Sequence, residues 1–419
     1  MTIEDKVVAE VDRLRDEIVE LTSRLVRIPT VNPPGEHYAD VARLLSETWR
    51  GLGYAVEEIA PRAQRPRYPR VNVVGRLEGA RSRPTLHFNG HVDVVPAGDG
   101  WDRDAFSGAV ADGKLWGRGS SDQKAGLAAS TFAVEAIRRA GVRLQGSVEQ
   151  SGTVDEESGG FAGVAELCEQ GRISRDRTDF VVITEPLGVD RVCLGHRGVY
   201  WFEVTALGRT AHGSMPALGR NAANAMARFI ARVQGDLAPR LAARKTAVPV
   251  EPASARSPSI NLNSLHAGQA ADEGQTPCVP DRAVAVFDRR FIQEESLADV
   301  RAEIAALVEA QRSDDREISW ELRERMAVEP VATPREARVV RALAVAIELV
   351  RRRPATYIAS PGTYDQKHVV RGGGVQECVA YGPGILETAH RPNEYVEIAD
   401  LISATKVMAL ATLRLLGTA

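Results

Sequence analysis

His91 and Asp93 stand two residues apart in LHFNGHVDVVP, after a short apolar run. In an extended segment such residues point to one face. The carboxylate can then accept one imidazole N–H while the other ring nitrogen binds a metal ion, although a histidine satisfied at a strand end fits the same tripeptide. Asp122, in GRGSSDQKAG, lies between a glycine-rich turn and a helix start. Its two oxygens can bridge two cations, or Ser121 or Asp122 can simply cap the helix. Glu156 and Glu157, within TVDEESGG, follow a stretch at 147–151 that reads as a strand. Adjacent carboxylates repel, and the pair makes chemical sense where a cation neutralises one while the other works on a water. With Asp155 beside them they also suit an acidic surface turn. Glu185, in TEP, closes an apolar strand at its carboxyl end, where open α/β sheets bind ligands. His390 sits in AHRPNE, in a polar turn after GPG. As a set, these imidazoles and carboxylates suit Zn²⁺, or Mn²⁺ and Co²⁺ under other supply, and the chemistry would be metal-assisted hydrolysis.

Helices and strands must bring these points together. Val7, Val11, Leu14, Ile18, Leu21, Leu25 and Ile28 recur at three- and four-residue steps, an amphipathic opening helix stopped by Pro29 and Asn32-Pro33-Pro34-Gly35. A second helix runs through Val41, Leu44, Leu45 and Trp49. Strands at 71–74, 85–88, 147–151 and 180–183 then alternate with helices at 125–140 and 161–170. That alternation predicts an α/β sheet with helices on both faces. The character changes near Gly195: a strand at 199–206, a helix at 221–234, a Pro/Ala/Ser-rich link at 248–258, a strand at 283–291 and a helix at 296–311 make a β-α-β-β-α-β-like unit. From about Val328 the α/β pattern resumes, ending in a helix at 398–416. The expected organisation is a catalytic domain in two parts, 1–193 and 328–419, interrupted by an insert at 194–327.

The 419 residues exceed one ordinary core, in keeping with two domains. Apolar and charged fractions of 44% and 26% are those of a globular protein, and a net charge of −3 gives no support to nucleic-acid or anionic-membrane binding. No apolar run reaches the span of about 18 residues that a membrane helix needs. The charged opening MTIEDKVVAEVDRLRDE is not a signal peptide, and Cys168, Cys193, Cys278 and Cys378 form no C-x-x-C pair, so the expected setting is cytoplasmic. Gly108 and Gly113-Lys114 match most of a phosphate loop, but Leu115 stands where Ser or Thr must reach magnesium, which argues against phosphoryl transfer.

The motifs IPTVNPPG, NGHVDVVP, WGRGSSDQKAG, TVDEESG, TEP, GRTAHGSMP, DRR, and GPG followed by HRPNE cover essentially the whole chain. In order and spacing this set resembles the acetylornithine deacetylase / succinyl-diaminopimelate desuccinylase / aminoacylase family of dinuclear zinc metallopeptidases. The resemblance implies a zinc-peptidase-like mixed sheet sandwiched by helices, with an inserted ferredoxin-like α+β lid and dimerisation domain. One of two divalent metal ions would take His91 and Glu185 and the other Glu157 and His390, with Asp122 bridging and Asp93 orienting His91. Glu156 would be the general base, passing a proton from the attacking water to the leaving amine. A non-proline cis peptide is implied at Asp122–Gln123. His212, in TAHGSMP, would reach across a homodimer to the oxyanion of the tetrahedral intermediate. Arg290 would clamp a substrate carboxylate, and Thr363 and Gly384 would contact the substrate.

The chain departs from the family in two places. Pro277, in Gln275-Thr276-Pro277-Cys278-Val279-Pro280, stands where an asparagine often shares carboxylate recognition, and the segment Gly362–His368 differs from the usual small-residue-rich version. The expected activity is deacylation of a small N-acyl amino acid. Cleavage of a dipeptide, a formylated amine or an aromatic amine is the alternative, and an inactive metal-binding regulatory protein is a remote one.

Overall fold

Phe180–Ile183, Thr85–His91 and Ser147–Thr153 form the parallel centre of a mixed sheet in the computed structural model, which describes residues 1–62, 64, 67–268 and 277–419. All three strands are buried along their length, as befits parallel strands covered on both faces. The sheet runs Ala55–Ile59, Asn72–Leu77, Ser147–Thr153, Thr85–His91, Phe180–Ile183, Cys378–Ala380 and Arg191–His196.

Side chains alternate across it. Phe180 and Val182 join a cluster with the helices Ala125–Arg139, Arg338–Arg351 and Ile398–Leu416, whereas Val181 and Ile183 join another with Leu167 and Val369. Helices therefore cover both faces, making an α/β sandwich. Close packing of Ala125–Arg139 depends on Gly126, where a Cβ would lie 2.4 Å from the Thr184 carbonyl oxygen. The strand Thr85–His91 also carries a buried polar row: His87 Nε2 lies 2.7 Å from Ser151 Oγ, which donates to Asn89 Oδ1 at 2.7 Å.

The expected opening helix is present as two segments, Ile3–Arg13 and Arg15–Val26. Hydrogen bonding continues across the junction, from Leu14 N–H to Glu10 O (2.9 Å) and Ile18 N–H to Leu14 O (3.0 Å). The predicted stripe from Val7 to Leu25 is buried.

The chain divides into two compact units. The first holds 1–195, 333–358 and 364–419, and the second holds 196–332 and 359–363. The second unit extends past residue 327 because its last long strand, Ser319–Val328, ends there, and it takes in Ala359 through a bridge to Val250. Its elements are Gly198–Leu207, the helix Ala222–Arg232, Ser259–Ala267, Arg282–Phe291, the helix Leu297–Asp314 and Ser319–Val328, a ferredoxin-like βαββαβ order. The four strands pair antiparallel in the order Ser259–Ala267, Arg282–Phe291, Gly198–Leu207, Ser319–Val328. Arg282–Phe291 alternates between buried and more exposed positions, and Phe287 stacks on Phe202 with ring centroids 5.2 Å apart. Among the described residues no helix is long and apolar enough to cross a membrane.

Candidate metal centre

The carboxyl ends of the central strands converge on one place in the first unit. His91 is the last residue of its strand, Glu156 and Glu157 follow Ser147–Thr153, and Glu185 follows Phe180–Ile183. Asp122 lies in the turn Ser120–Lys124 that opens the helix Ala125–Arg139. His390 comes from the return segment after Cys378–Ala380, with a left-handed φ of 62°.

Ligand atoms of His91, Asp122 and Glu185 lie within 4.8 Å of one another, and so do those of Asp122, Glu157 and His390. Asp122 belongs to both groups and presents a different oxygen to each histidine. His91 Nε2 is 3.1 Å from its Oδ1, and His390 Nε2 is 3.4 Å from its Oδ2 and 3.0 Å from Glu157 Oε1.

The Asp122 loop is held from behind. Glu394 Oε1 accepts hydrogen bonds from the main-chain N–H groups of Gly119, Ser121 and Asp122, each at 3.0 Å, and its Oε2 accepts from Arg118 Nη1 at 2.6 Å. The peptide bond Asp122–Gln123 is cis. Gln123 then donates from Nε2 to Glu185 Oε1 at 2.7 Å and accepts from Thr184 Oγ1 at 2.7 Å, which orients the glutamate.

Asp93 meets the Nδ1 side of His91 with both its main chain and its carboxylate. The main-chain carbonyl of Asp93, not its carboxylate, lies within hydrogen-bond reach of His91 Nδ1, at 2.9 Å against 3.6 Å. That bond leaves Nε2 facing Asp122. The Asp93 carboxylate also holds the acidic turn, accepting from Glu156 N–H and Glu157 N–H at 3.1 Å each and from Asn32 Nδ2 at 2.9 Å.

The electrostatics are those of carboxylates crowded without enough positive charge. Burial, then the charge of Asp122, holds the Glu185 carboxyl well above the usual range. Burial likewise pushes Glu156 up to about 8 and Asp93 up to about 6. Asp122 stays below the ordinary carboxylate range because hydrogen bonds from His390 and His91 overcome its burial. Hydrogen bonds to Asp122 and Glu157 push His390 up to about 10. Burial opposes charge on His91, yet Asp122, Asp93 and Glu185 raise it well above its ordinary value. Divalent cations relieve such a site, and two imidazoles with three carboxylates are a fitting donor set.

Gly384 stands beside this centre with φ of 90°, where a Cβ would lie 2.3 Å from Ser121 Oγ. The remaining predicted residues belong to the second unit. His212 pairs with Cys278 across a strand bridge, and its Nδ1 lies 2.8 Å from Ser214 Oγ. Arg290 donates from Nε to both oxygens of Asp288, at 2.8 and 3.0 Å. Thr363 donates to the Arg197 carbonyl at 3.3 Å. Pro277 accepts from Gly213 N–H, while Gln275 and Thr276 lie outside the described residues. Sequence reasoning missed Asn32, Gln123, Glu394 and Lys367. Asn32 and Glu394 sit inside motifs that were conspicuous for other reasons, NPPG and HRPNE.

Residues 87–414 match the model for peptidase family M20/M25/M40. The chain is 31% identical over 401 residues to a succinyl-diaminopimelate desuccinylase from Methylobacterium radiotolerans, covering 94% of this chain and 95% of that protein. A second such enzyme, from Gluconacetobacter diazotrophicus, is 31% identical over 408 residues, covering 95% and 96%. The fold is shared with human carnosine dipeptidase 1 (TM-score 0.78, 20% identity, 99% of each chain). It is shared also with an M20 family metallo-carboxypeptidase from Sulfolobus solfataricus (TM-score 0.76, 22% identity, 95% of this chain and 99% of that one). A hydrolase acting on amide bonds, the chain belongs to peptidase family M20/M25/M40.

Proposed function

We propose that the protein is a dinuclear metal amidohydrolase that deacylates an N-acyl amino acid. The observation that carries this reading is the overlap of two potential ligand groups on Asp122, with Glu156 on the adjoining turn. His91 and Glu185 would hold one cation, Glu157 and His390 the other, and Asp122 both. Zn²⁺ suits the mixed nitrogen and oxygen donors, as do Mn²⁺ and Co²⁺. Bound there, two cations supply the positive charge that lowers the pKa of water and polarises an amide carbonyl.

The chain's own residues do the rest. Glu156 takes the proton of the attacking water and passes it to the leaving nitrogen. Asp93, through the N–H groups of Glu156 and Glu157, fixes the turn on which the base stands. Arg290 would bind the substrate carboxylate, with Thr363 and the Gly384 backbone also contacting the substrate. The desuccinylase relatives favour a dicarboxylic acyl group. A second reading, cleavage of substrates that lack the α-carboxylate, is favoured by Pro277 and by the Asp288 carboxylate already on Arg290 Nε.

The test is hydrolysis of a panel by metal-reconstituted protein with a chelated control. The panel holds acetyl-, succinyl- and formyl-amines with and without an α-carboxylate, dipeptides and aromatic amides. Chelator-sensitive cleavage that requires the carboxylate is expected. Cleavage only of substrates without it would replace the first reading with the second, and no cleavage with two metals bound would overturn both.

A further inference from the structure

The segment where the chain departs from its family, Gly362–His368, carries a lysine whose placement the chemistry above leaves unexplained. Lys367 lies on the short helix Gln366–Arg371, in the first unit with the metal centre. Its side chain is only 6% exposed, and its Nζ stands 3.9 Å from Glu156 Oε1. A lysine this deeply buried is uncommon unless a charge partner holds it there. Among the described residues, Lys367 is the only cation in an ion pair with the Glu156 carboxylate.

The helix and the turn that carries Glu156 are fastened together. His368 Nε2 lies 2.7 Å from the Gly159 carbonyl oxygen, and its ring meets Phe161 edge-on with centroids 5.4 Å apart. Gly160, at φ of 75°, lets the turn pass so close to Asp365 that a Cβ would lie 2.3 Å from Asp365 Oδ1. Asp365 is tied in turn to the central strand, accepting from Asn89 Nδ2 at 3.4 Å. The lysine therefore has a fixed station beside the acidic turn. Glu157 and Asp365 repel charge on Glu156, while Lys367 and His91 attract it.

We infer that Lys367 is a positioning residue for hydrolysis: its ammonium holds the Glu156 carboxylate in the orientation from which it takes the proton of the attacking water. This rests on the assignment of Glu156 as the general base. At 3.9 Å the pair is too long for a hydrogen bond, so the lysine steers the carboxylate by charge and leaves both oxygens able to accept from water. Loss of the cation is expected to reduce kcat with little change in KM, because substrate contacts are not touched.

The experiment compares wild type, K367M, K367R and K367A, each reconstituted with Zn²⁺ and checked for metal content. K367M is expected to hold the same metal as wild type and to lose roughly 10- to 100-fold in kcat, a fraction of what a general base contributes. K367R is expected to recover most of the rate, and added methylammonium or ethylammonium is expected to raise the rate of K367A in a saturable way. A merely structural lysine would give no such rescue. Unchanged kcat in K367M overturns the inference, as does a rise in KM alone, which would make Lys367 a substrate clamp. K367Q serves if K367M does not fold. An inactive wild type would instead overturn the proposed function. The crystal structure of K367M then decides the inference by itself: a displaced Glu156 carboxylate upholds it, and an unmoved one overturns it.

Discussion

Glu156 is fastened through its main chain, while its carboxylate stands in the field of Lys367. Its N–H donates to Asp93, and its carboxylate meets Lys367 at 3.9 Å. Such a group can change its protonation state without breaking the turn around it. Glu156→Gln should therefore keep fold and metal content while kcat falls by roughly 10²- to 10⁴-fold, the range for loss of a general base. A variant with near wild-type turnover and both metals bound would remove Glu156 from that role. His390 predicts a pH dependence. Its imidazole is pushed up to about 10 by Asp122 and Glu157, above its ordinary pKa of about 6.5. In metal-free protein that interaction contributes its full stability below about pH 6.5 and is lost as pH rises through 10. A metal ion needs the neutral ring, so binding in this window must expel a proton, and affinity must tighten as pH rises. Calorimetric titration of Zn²⁺ in buffers of differing ionisation enthalpy measures the released proton. The same release from His390→Ala would show that another group carries it.

At the scale of elements, the strand ends aim the ligands, but loops tied by single side chains set the distances. The clearest case is the turn Ser120–Lys124, where the amides of Ser121 and Asp122, with that of Gly119 just before it, converge on one oxygen of Glu394. Glu394→Gln keeps the size but weakens these charge-assisted bonds and sets an amide against Arg118. Metal affinity should fall about 10- to 100-fold, as when partners behind metal ligands are lost. Competition against a chelator of known affinity measures this, and an unchanged affinity would mean that the loop holds its shape without Glu394. The same division explains what could be read from the chain alone. Phe180–Ile183 announced itself as an unbroken apolar run and the stripe from Val7 to Leu25 as a helical period, because burial writes one or the other into the sequence. The strand Ser259–Ala267 did not, since most of it is exposed and the alternation begun by Ile260 and Leu262 is broken by a register shift before Ser264. Asp122 was legible through its motif, whereas Glu394 was not, because a carboxylate that accepts three amides resembles any surface glutamate in sequence. The carboxylate of Asp93 stands 3.6 Å from His91 Nδ1 and also holds the acidic turn, a second task that residue spacing does not reveal.

At the scale of the molecule, the candidate ligands all lie in the first unit, while His212, Arg290 and Thr363 lie in the second. A hydrolase of this kind needs a donor for the developing oxyanion as well as metal and base. His212 is exposed, and its ring is engaged with Ser214 of the same turn. The second unit also ends in an edge strand, Ser259–Ala267, whose outward residues include Leu265 at 53% exposure. Exposed edges invite pairing with another chain. We propose that two chains pair through the second unit and that His212 serves the metal centre of the opposite subunit. Glu156→Ala and His212→Ala proteins would then each be nearly inactive alone. In a mixed dimer, one of the two centres would regain both an intact base and an intact histidine. With free exchange half of the dimers are mixed, so activity should recover to about a quarter of wild type. No recovery, with subunit exchange demonstrated by differently tagged chains, would mean that His212 serves its own chain or none. Recovery without mixed dimers would point to incomplete inactivation of one variant, which the separate assays reveal.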